Sequence, residues 1–340
     1  LDDHIFIAGY KETKKNIIDR YLIKVDLRNG DIVWSQSFPS SMNGRSSAFE
    51  SVVVTNKNGL LLTGVTNSSY DAMEGFKSYG NPTDGNAFSM NFSNNLLVSK
   101  TSPEEPSWEK EYKNLLTGKS IKRIGNTNEF LIASSTNEPM IAKVLKIKED
   151  GTTVWKKRYP QHGELTDIAV TTDGYFLSGH KESFKGGIDG SITKISPNGL
   201  VIWNKVFGNP EGGTNNFFSD YIVSNELIFD ECWSIVNMNN SGVVVACGTG
   251  IEECDKIRGQ KRRDCEKDPR QTWRSYLVNI NFDGDIIWEK TGSFVFPGEE
   301  DSEDLASVAA EWVFINSKDQ IASVNDLEFG IGLEIIELDK

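Results

Sequence analysis

The sequence contains no apolar run near the ~18 residues that a membrane-spanning helix requires, and it has no excess of positive charge. Its 340 residues carry 36 Lys and Arg against 49 Asp and Glu, a formal net charge of −13. That balance opposes the phosphate neutralisation on which general nucleic-acid binding depends, and leaves cations and basic partners as electrostatic complements. Histidine is scarce: His4, His162 and His180 are widely spaced and fall on different repeats, so a three-histidine metal site would need coincidental convergence. GxSxG, HExxH, P-loop and dinucleotide fingerprints are all missing, which removes the motif-based routes to enzymatic chemistry. The four cysteines all lie between Cys232 and Cys265. An even, clustered set without close CxxC pairs fits disulfides in an oxidising compartment better than it fits zinc. Leu1 runs at once into strand-like HIFIAGY, with neither a charged n-region nor an apolar h-region before it. Sequons at Asn67, Asn91 and Asn239 are as frequent as chance allows in an Asn-rich chain and carry no inference.

What the sequence does contain is a repeat. DLRNGDIVWSQSF at 26–38 has relatives in KEDGTTVWKKRY with Trp155, SPNGLVIWNKVF with Trp203 and NFDGDIIWEKTG with Trp288, and a degraded copy in PSWEKEY with Trp108. Around each copy the same order of short β-branched or alternating runs recurs. In the clearest unit TDIAVTTDG, YFLSG, SITKIS and LVIWNKVF read as four strands, a to d, separated by turn residues. Repeats cover approximately residues 1–39, 48–112, 118–160, 163–208, 229–294 and 304–340, the first lacking strand a and the last lacking strand d. About 22 short antiparallel strands in six units predict an all-β, six-bladed β-propeller forming one domain. The count becomes seven if the strands missing at the two ends belong to a further blade.

The acidic residue before strand a, the DG turn, the small-residue pair closing strand b and the D-x-x-G-x-x-x-W of the c–d turn resemble the bacterial secreted β-propeller repeats. The pattern is also similar to the quinoprotein-like Trp-docking repeat. The resemblance implies that Trp34, Trp155, Trp203 and Trp288 pack between neighbouring blades. It puts that role in question for Trp108, which no Gly precedes at the usual spacing. Quinone-binding features of the quinoproteins, a vicinal cysteine pair above all, are not found, so no quinone cofactor is expected.

In such a blade the a–b and c–d turns share one face, and the b–c loops and d–a crossovers share the other. The a–b and c–d turns read as tight throughout, at Asn58-Gly59, Asp173-Gly174, Asn29-Gly30, Asp150-Gly151, Asn198-Gly199 and Asp283-Gly284. The interval from strand b to Trp is 25 residues from Gly9 to Trp34 and 24 from Gly179 to Trp203, but 44 from Gly64 to Trp108 and 40 from Gly248 to Trp288. These departures predict two long b–c loops, in blades two and five, and place all the elaboration on one face, where binding residues concentrate on a rigid scaffold. In a six-membered ring these loops would face each other as walls of a cleft.

Candidate binding residues on that face are Tyr70, Phe76 and Tyr79 from blade two and Phe217, Phe218 and Tyr221 from the crossover. Blade five adds Lys256, Arg258, Lys261, Arg262 and Arg263 inside a Cys254–Cys265 bridge, followed by Trp273. Exposed aromatics beside polar groups suit protein or carbohydrate recognition, and anchoring of their own loops is the alternative. Glu50, Asp167, Asp230 and Asp304 recur near the start of strand a. They either hold a cation at the channel mouth, for which calcium suits oxygen ligands, or cap backbone N–H groups, the favoured reading. These observations predict a secreted, periplasmic or cell-surface binding or assembly module for a protein or glycan, without a nucleic-acid partner. A propeller hydrolase or lyase acting on polysaccharide is the alternative.

Overall fold

The computed structural model describes residues 3–73, 82–92, 96, 99–103, 105–136, 141–182, 188–208, 229–238, 241–250, 273–292, 294–295, 305–306, 308–327 and 330–337. The chain divides into two compact units, 1–160 and 161–340.

The first unit contains three antiparallel sheets. One has three strands, β1 (His4–Lys14), β2 (Ile17–Asp26) and β3 (Ile32–Phe38). The next two have four each: β4 (Ser46–Val54), β5 (Leu60–Ser68), β6 (Asn86–Phe92) and β7 (Trp108–Tyr112), then β8 (Gly118–Arg123), β9 (Glu129–Ser135), β10 (Ala142–Lys148) and β11 (Thr153–Tyr159). In the second unit β12 (Glu164–Val170), β13 (Tyr175–Glu182), β14 (Ile188–Ile195) and β15 (Val201–Phe207) form a fourth sheet. A fifth comprises β16 (Phe229–Asn237), β17 (Val243–Gly250), β18 (Trp273–Ile280) and β19 (Ile286–Gly292). A single parallel bridge, Ile188 with Phe229, joins these two. A two-residue ladder of β20 (Phe294–Val295) and β21 (Leu305–Ala306) precedes the last sheet, β22 (Val308–Ile315), β23 (Ile321–Leu327) and β24 (Gly330–Ile336). Among the described residues the strands fall where they were read from the sequence, with three in the first and last sheets.

The reason for stacking lies in strand b. In β5, Leu60 and Leu62 pack against Leu22, Trp34 and Phe38 of the first sheet, while Leu61 points the other way, to Ile121, Phe130 and Ile132 of the third. Period-two alternation thus sends successive leucines into two different cores, and each fully buried Leu contributes about 1.5–3 kcal/mol. In the second unit Phe176 and Ile192 pack on Val243, Val245 and Val278, and Val244, Ala246 and Leu277 pack on Ala310, Val313 and Ile321.

Strand a carries the same irregularity five times. Its pairing with strand b slips between Phe49 and Ser51, Gly118 and Ser120, Leu165 and Asp167, Cys232 and Ser234, and Ala310 and Trp312. Each slip is a β-bulge that turns the strand and increases its twist. The bulge explains the small residue closing strand b: a Cβ at Gly64 or Gly179 would overlap the carbonyl oxygen of Ala48 or Glu164.

The turn between strands c and d is also repeated. Gly151, Gly199 and Gly284 have φ of 79°, 73° and 93°, and each amide N–H bonds back to the carbonyl three residues earlier, at Lys148, Ser196 and Asn281. Positive φ is why glycine stands there.

One expectation about the turns fails. In the second sheet the c–d connection spans residues 93–107, so elaboration is not confined to the b–c end and the c–d turns are not tight throughout. The long interval from Gly64 to Trp108 is divided between a b–c connection, 69–85, and this c–d connection. A distance between two sequence landmarks cannot apportion an insertion when β6 lies between them. The structure shows how the c–d segment is held: Lys24, 1% exposed, donates from Nζ to the carbonyls of Leu96 at 3.1 Å and Ser99 at 2.9 Å.

Candidate functional site: the loop-bearing end of the fourth and fifth sheets

The repeat itself is structural. Trp108 Nε1 donates to Glu149 O at 3.1 Å, its ring lies over Gly151, and Lys110 Nζ donates to Gly151 O at 2.8 Å. Trp203 of the fourth sheet does the same on the fifth: Nε1 donates to Phe282 O at 3.1 Å, the ring covers Gly284, and Lys205 Nζ donates to Gly284 O. The question raised over Trp108 is therefore resolved in favour of docking. The glycine an indole needs belongs to the turn of the following sheet, not to the turn before the Trp. Trp-x-Lys reads as one clamp, closing two polar groups and a ring onto a neighbour's turn.

In the second unit, the strand ends that lead into the 183–187, 209–228 and 251–272 segments gather several buried polar groups. Glu164 at the start of β12 and His180 near the end of β13 sit opposite each other in register, with Oε2 and Nε2 3.2 Å apart and 4% and 8% exposed. The bulge in β16 turns Trp233 edge-on to the His180 ring, centroids 5.5 Å apart. His162, just before β12, is 1% exposed and lies between two hydroxyls, Ser191 Oγ at 2.5 Å from Nδ1 and Thr193 Oγ1 at 2.7 Å from Nε2. Burial, with the nearby charges of His180 and Lys181, pulls its imidazole down to about 3, so it is neutral at pH 7 and bonds one hydroxyl as donor and the other as acceptor. The expectation that His162 and His180 lie far apart is thus wrong: both flank the same sheet, because the a–b hairpin folds their segments together. Ser191 is 0% exposed, which makes the Ser191–His162 pair a core contact, not a nucleophile presented to substrate.

A second group lies close by. Tyr276 donates its hydroxyl to Gly208 O at 3.0 Å and to a Glu289 carboxylate oxygen. Burial and the negative charges of Glu289 and Asp230 push this phenol far above its ordinary range. Burial likewise raises the Asp189 carboxyl. A Cβ on Gly208 would overlap an Asp230 carboxylate oxygen and touch that of Asp189, so the two carboxyl groups flank the chain where it leaves β15. Cys232 and Cys247, opposite each other in β16 and β17 and both 0% exposed, form a disulfide.

The expected site residues divide as follows. Tyr70 is half-buried and packs on a core of Ile18, Ala48, Val65 and Met73, so it anchors its own loop. Trp273 opens β18, half-buried, with its ring against Gly248. Phe76, Tyr79, Phe217, Phe218, Tyr221, Lys256, Arg258, Lys261, Arg262, Arg263, Cys254, Cys265 and Asp304 lie outside the described residues, as does Asn239. Of the carboxylates, Asp167 Oδ2 accepts from the Ile235 amide at 3.2 Å and from Ser234 Oγ at 3.3 Å, joining β12 to β16. Glu50, on the β4 bulge, accepts from Thr117 Oγ1 at 3.4 Å, and Asp230 is 3% exposed. Among the described residues no group of three or more His, Cys, Asp or Glu is placed to hold a metal. Asn67 and Asn91 are 6% and 4% exposed and spend their amides on Glu111 Oε2 and Leu60 O, which removes both as glycan acceptors in the folded state.

Sequence reading missed the device that Asp167 belongs to. Ser51 Oγ accepts from the Ile121 amide at 3.2 Å and Ser234 Oγ from the Val313 amide at 3.5 Å, as Asp167 does from Ile235. The residue after each of these bulges therefore caps an inner-strand N–H of the next sheet. The signal was a Ser or Asp at one repeat position.

The chain is a β-propeller in class, built of antiparallel, mostly four-stranded sheets that pack face to face within each unit. No family model matches it, and no curated protein does. Among solved structures it is similar to hydrazine synthase of Kuenenia stuttgartiensis, at a TM-score of 0.53 and 12% identity over 90% of this chain and 69% of that one. It is also similar to the Pan2 WD40 domain of Neurospora crassa, at 0.49 and 9% over 97% and 75%. A third is the β-propeller domain of the Trilobed protease of Pyrococcus furiosus, at 0.43 and 8% over 99% and 78%.

Proposed function

We propose that this chain is a non-catalytic binding or assembly module, akin to the secreted propeller repeats, that engages a protein or glycan through the loop-bearing ends of its sheets. The observation that carries the reading is the contrast between connections. In the fourth and fifth sheets every a–b and c–d turn is closed within a few residues by backbone hydrogen bonds, whereas the b–c connection 251–272 and the crossover 208–228 are long. Chain length that does not build sheet is chain length available for recognition. The buried Cys232–Cys247 bridge supports an oxidising location, secreted, periplasmic or at the cell surface. Deleting Glu252–Arg270 is expected to abolish partner capture from native membranes or culture medium while far-UV circular dichroism stays unchanged; retained capture refutes the reading.

A hydrolase or lyase acting on polysaccharide is the second reading, favoured by the Asp189 and Asp230 carboxyls that flank Gly208, of which burial raises that of Asp189, since glycosidic chemistry works through a pair of carboxyl groups. A glycan array followed by product analysis separates the two: a binder returns its glycan intact, and an enzyme releases shorter products.

A further inference from the structure

The net charge of −13 conceals an uneven distribution. Residues 113–160 hold ten Lys and Arg against four Asp and Glu, with three cations on each of β8, β10 and β11, and only on the outer strand of the third sheet are the three consecutive. That strand, β11, is TVWKKRY, the one strand d among the five described with three consecutive cations. Lys156 and Arg158 are exposed on one face. In register with them on β10 are Leu145 and Lys143, so Lys143 and Arg158 are directly opposed and Lys156 lies one pleat away. Lys143 is half-buried, its Nζ 3.3 Å from Asn114 O. Burial and the charges of Lys156 and Arg158 pull its ammonium below its ordinary range. Like charges directly opposed on a sheet are destabilising. Among the described residues no carboxylate is paired with Lys143, Lys156 or Arg158.

The same strand is an open edge. The sheet order is β11-β10-β9-β8, and among the described residues no strand pairs with the outer side of β11. Side chains on one face of a strand repeat every ~6.6 Å, which is the repeat of Lys156 and Arg158 and equally of any extended segment laid beside them. A strand added to this edge satisfies backbone groups along its length, and its alternate side chains fall beside the cations.

We propose that β11 is a docking edge for an extended acidic segment of a partner protein, which adds as a strand and sets alternate carboxylates against Lys156 and Arg158. This surface is distinct from the loop-bearing ends and does not depend on the function proposed for them. The competing explanation is that lysine on an edge strand only discourages unwanted pairing.

The full chain is titrated with a fluorescein-labelled peptide of alternating Thr and Glu, and with its Thr–Gln counterpart, in low and high salt. The expected result is saturable binding of the Glu peptide alone, weakened by salt, with amide exchange slowed along β11. Lys156→Glu with Arg158→Glu should lower affinity about tenfold or more, since like-charge juxtaposition costs several kcal/mol. Lys156→Gln with Arg158→Gln, less disturbing to the sheet, should show an intermediate loss, with circular dichroism reporting that both variants fold. Absence of binding, or equal binding by the charge-reversed protein, overturns the proposal. So does tighter binding of dextran sulfate with β11 amides left unprotected, which would assign the patch to a sulfated polysaccharide.

Discussion

Gly30 and Gly151 make a matched pair for measuring what the Trp clamp contributes. Their φ values are 78° and 79°, so substitution by Ala imposes the same left-handed strain at both, about 1–2 kcal/mol. The surroundings differ. A Cβ at Gly30 meets nothing within 4 Å among the described residues, whereas at Gly151 it lies 3.2 Å from the Trp108 ring. The ring must retreat by a few tenths of an ångström, which loosens its packing and lengthens the bond from Nε1 to Glu149 O, now 3.1 Å. Losing that bond costs about 1 kcal/mol, with packing strain of similar size. Gly151→Ala should therefore destabilise by about 1–2 kcal/mol more than Gly30→Ala. Both sites belong to the 1–160 unit, so urea unfolding followed by far-UV circular dichroism compares them in the same unit, free of the fluorescence change that moving Trp108 would itself cause. In a Trp108→Ala background the difference should vanish. Equal costs in the wild-type background, within about 0.5 kcal/mol, would refute the claim that the turn and the indole are coupled.

The remaining expectations concern the second unit. His162 is held neutral with its imidazole near 3, while the unfolded chain takes up a proton near 6.5. Its contribution is therefore present above pH 6.5 and is lost as pH falls from 6.5 towards 3. The loss should reach about 4–5 kcal/mol, and His162→Gln should flatten that slope in equilibrium unfolding measured from pH 7 to pH 4. Replacing Cys232 and Cys247 by Ala opens a loop closed over a sequence separation of 15. Stability should fall by about 3 kcal/mol, and reductant should then no longer affect the unfolding midpoint if no other bridge contributes. Asp167→Ala removes the acceptor shared by Ile235 N–H and Ser234 Oγ. A cost of about 1.5–3 kcal/mol is expected, with faster amide exchange at Ile235; unchanged exchange there would mean that the bond is not made in solution.

Strand order and most of the tight turns could be read from residues alone because they depend on neighbours in sequence. Alternation writes Leu60, Leu61 and Leu62 as a strand, a glycine before Trp marks the turn that demands positive φ, and four such strands per repeat define a propeller blade. The three-strand first and last sheets were foreseen for the same reason. What the sequence could not carry was whatever is decided between sheets. Trp108 looked unfit because its own turn lacks glycine, yet its ring rests on Gly151, and only the packing of one sheet on the next pairs them. Asp167 was a carboxylate with two readings until β16 came alongside and offered the Ile235 amide. The insertion in the second sheet was counted on one face, because an interval from Gly64 to Trp108 does not say where β6 falls within it. His162 and His180 seemed remote until a hairpin folded their segments onto the same sheet. Local periodicity is a property of a chain, whereas docking, capping and desolvation are properties of surfaces that exist only once the sheets have packed.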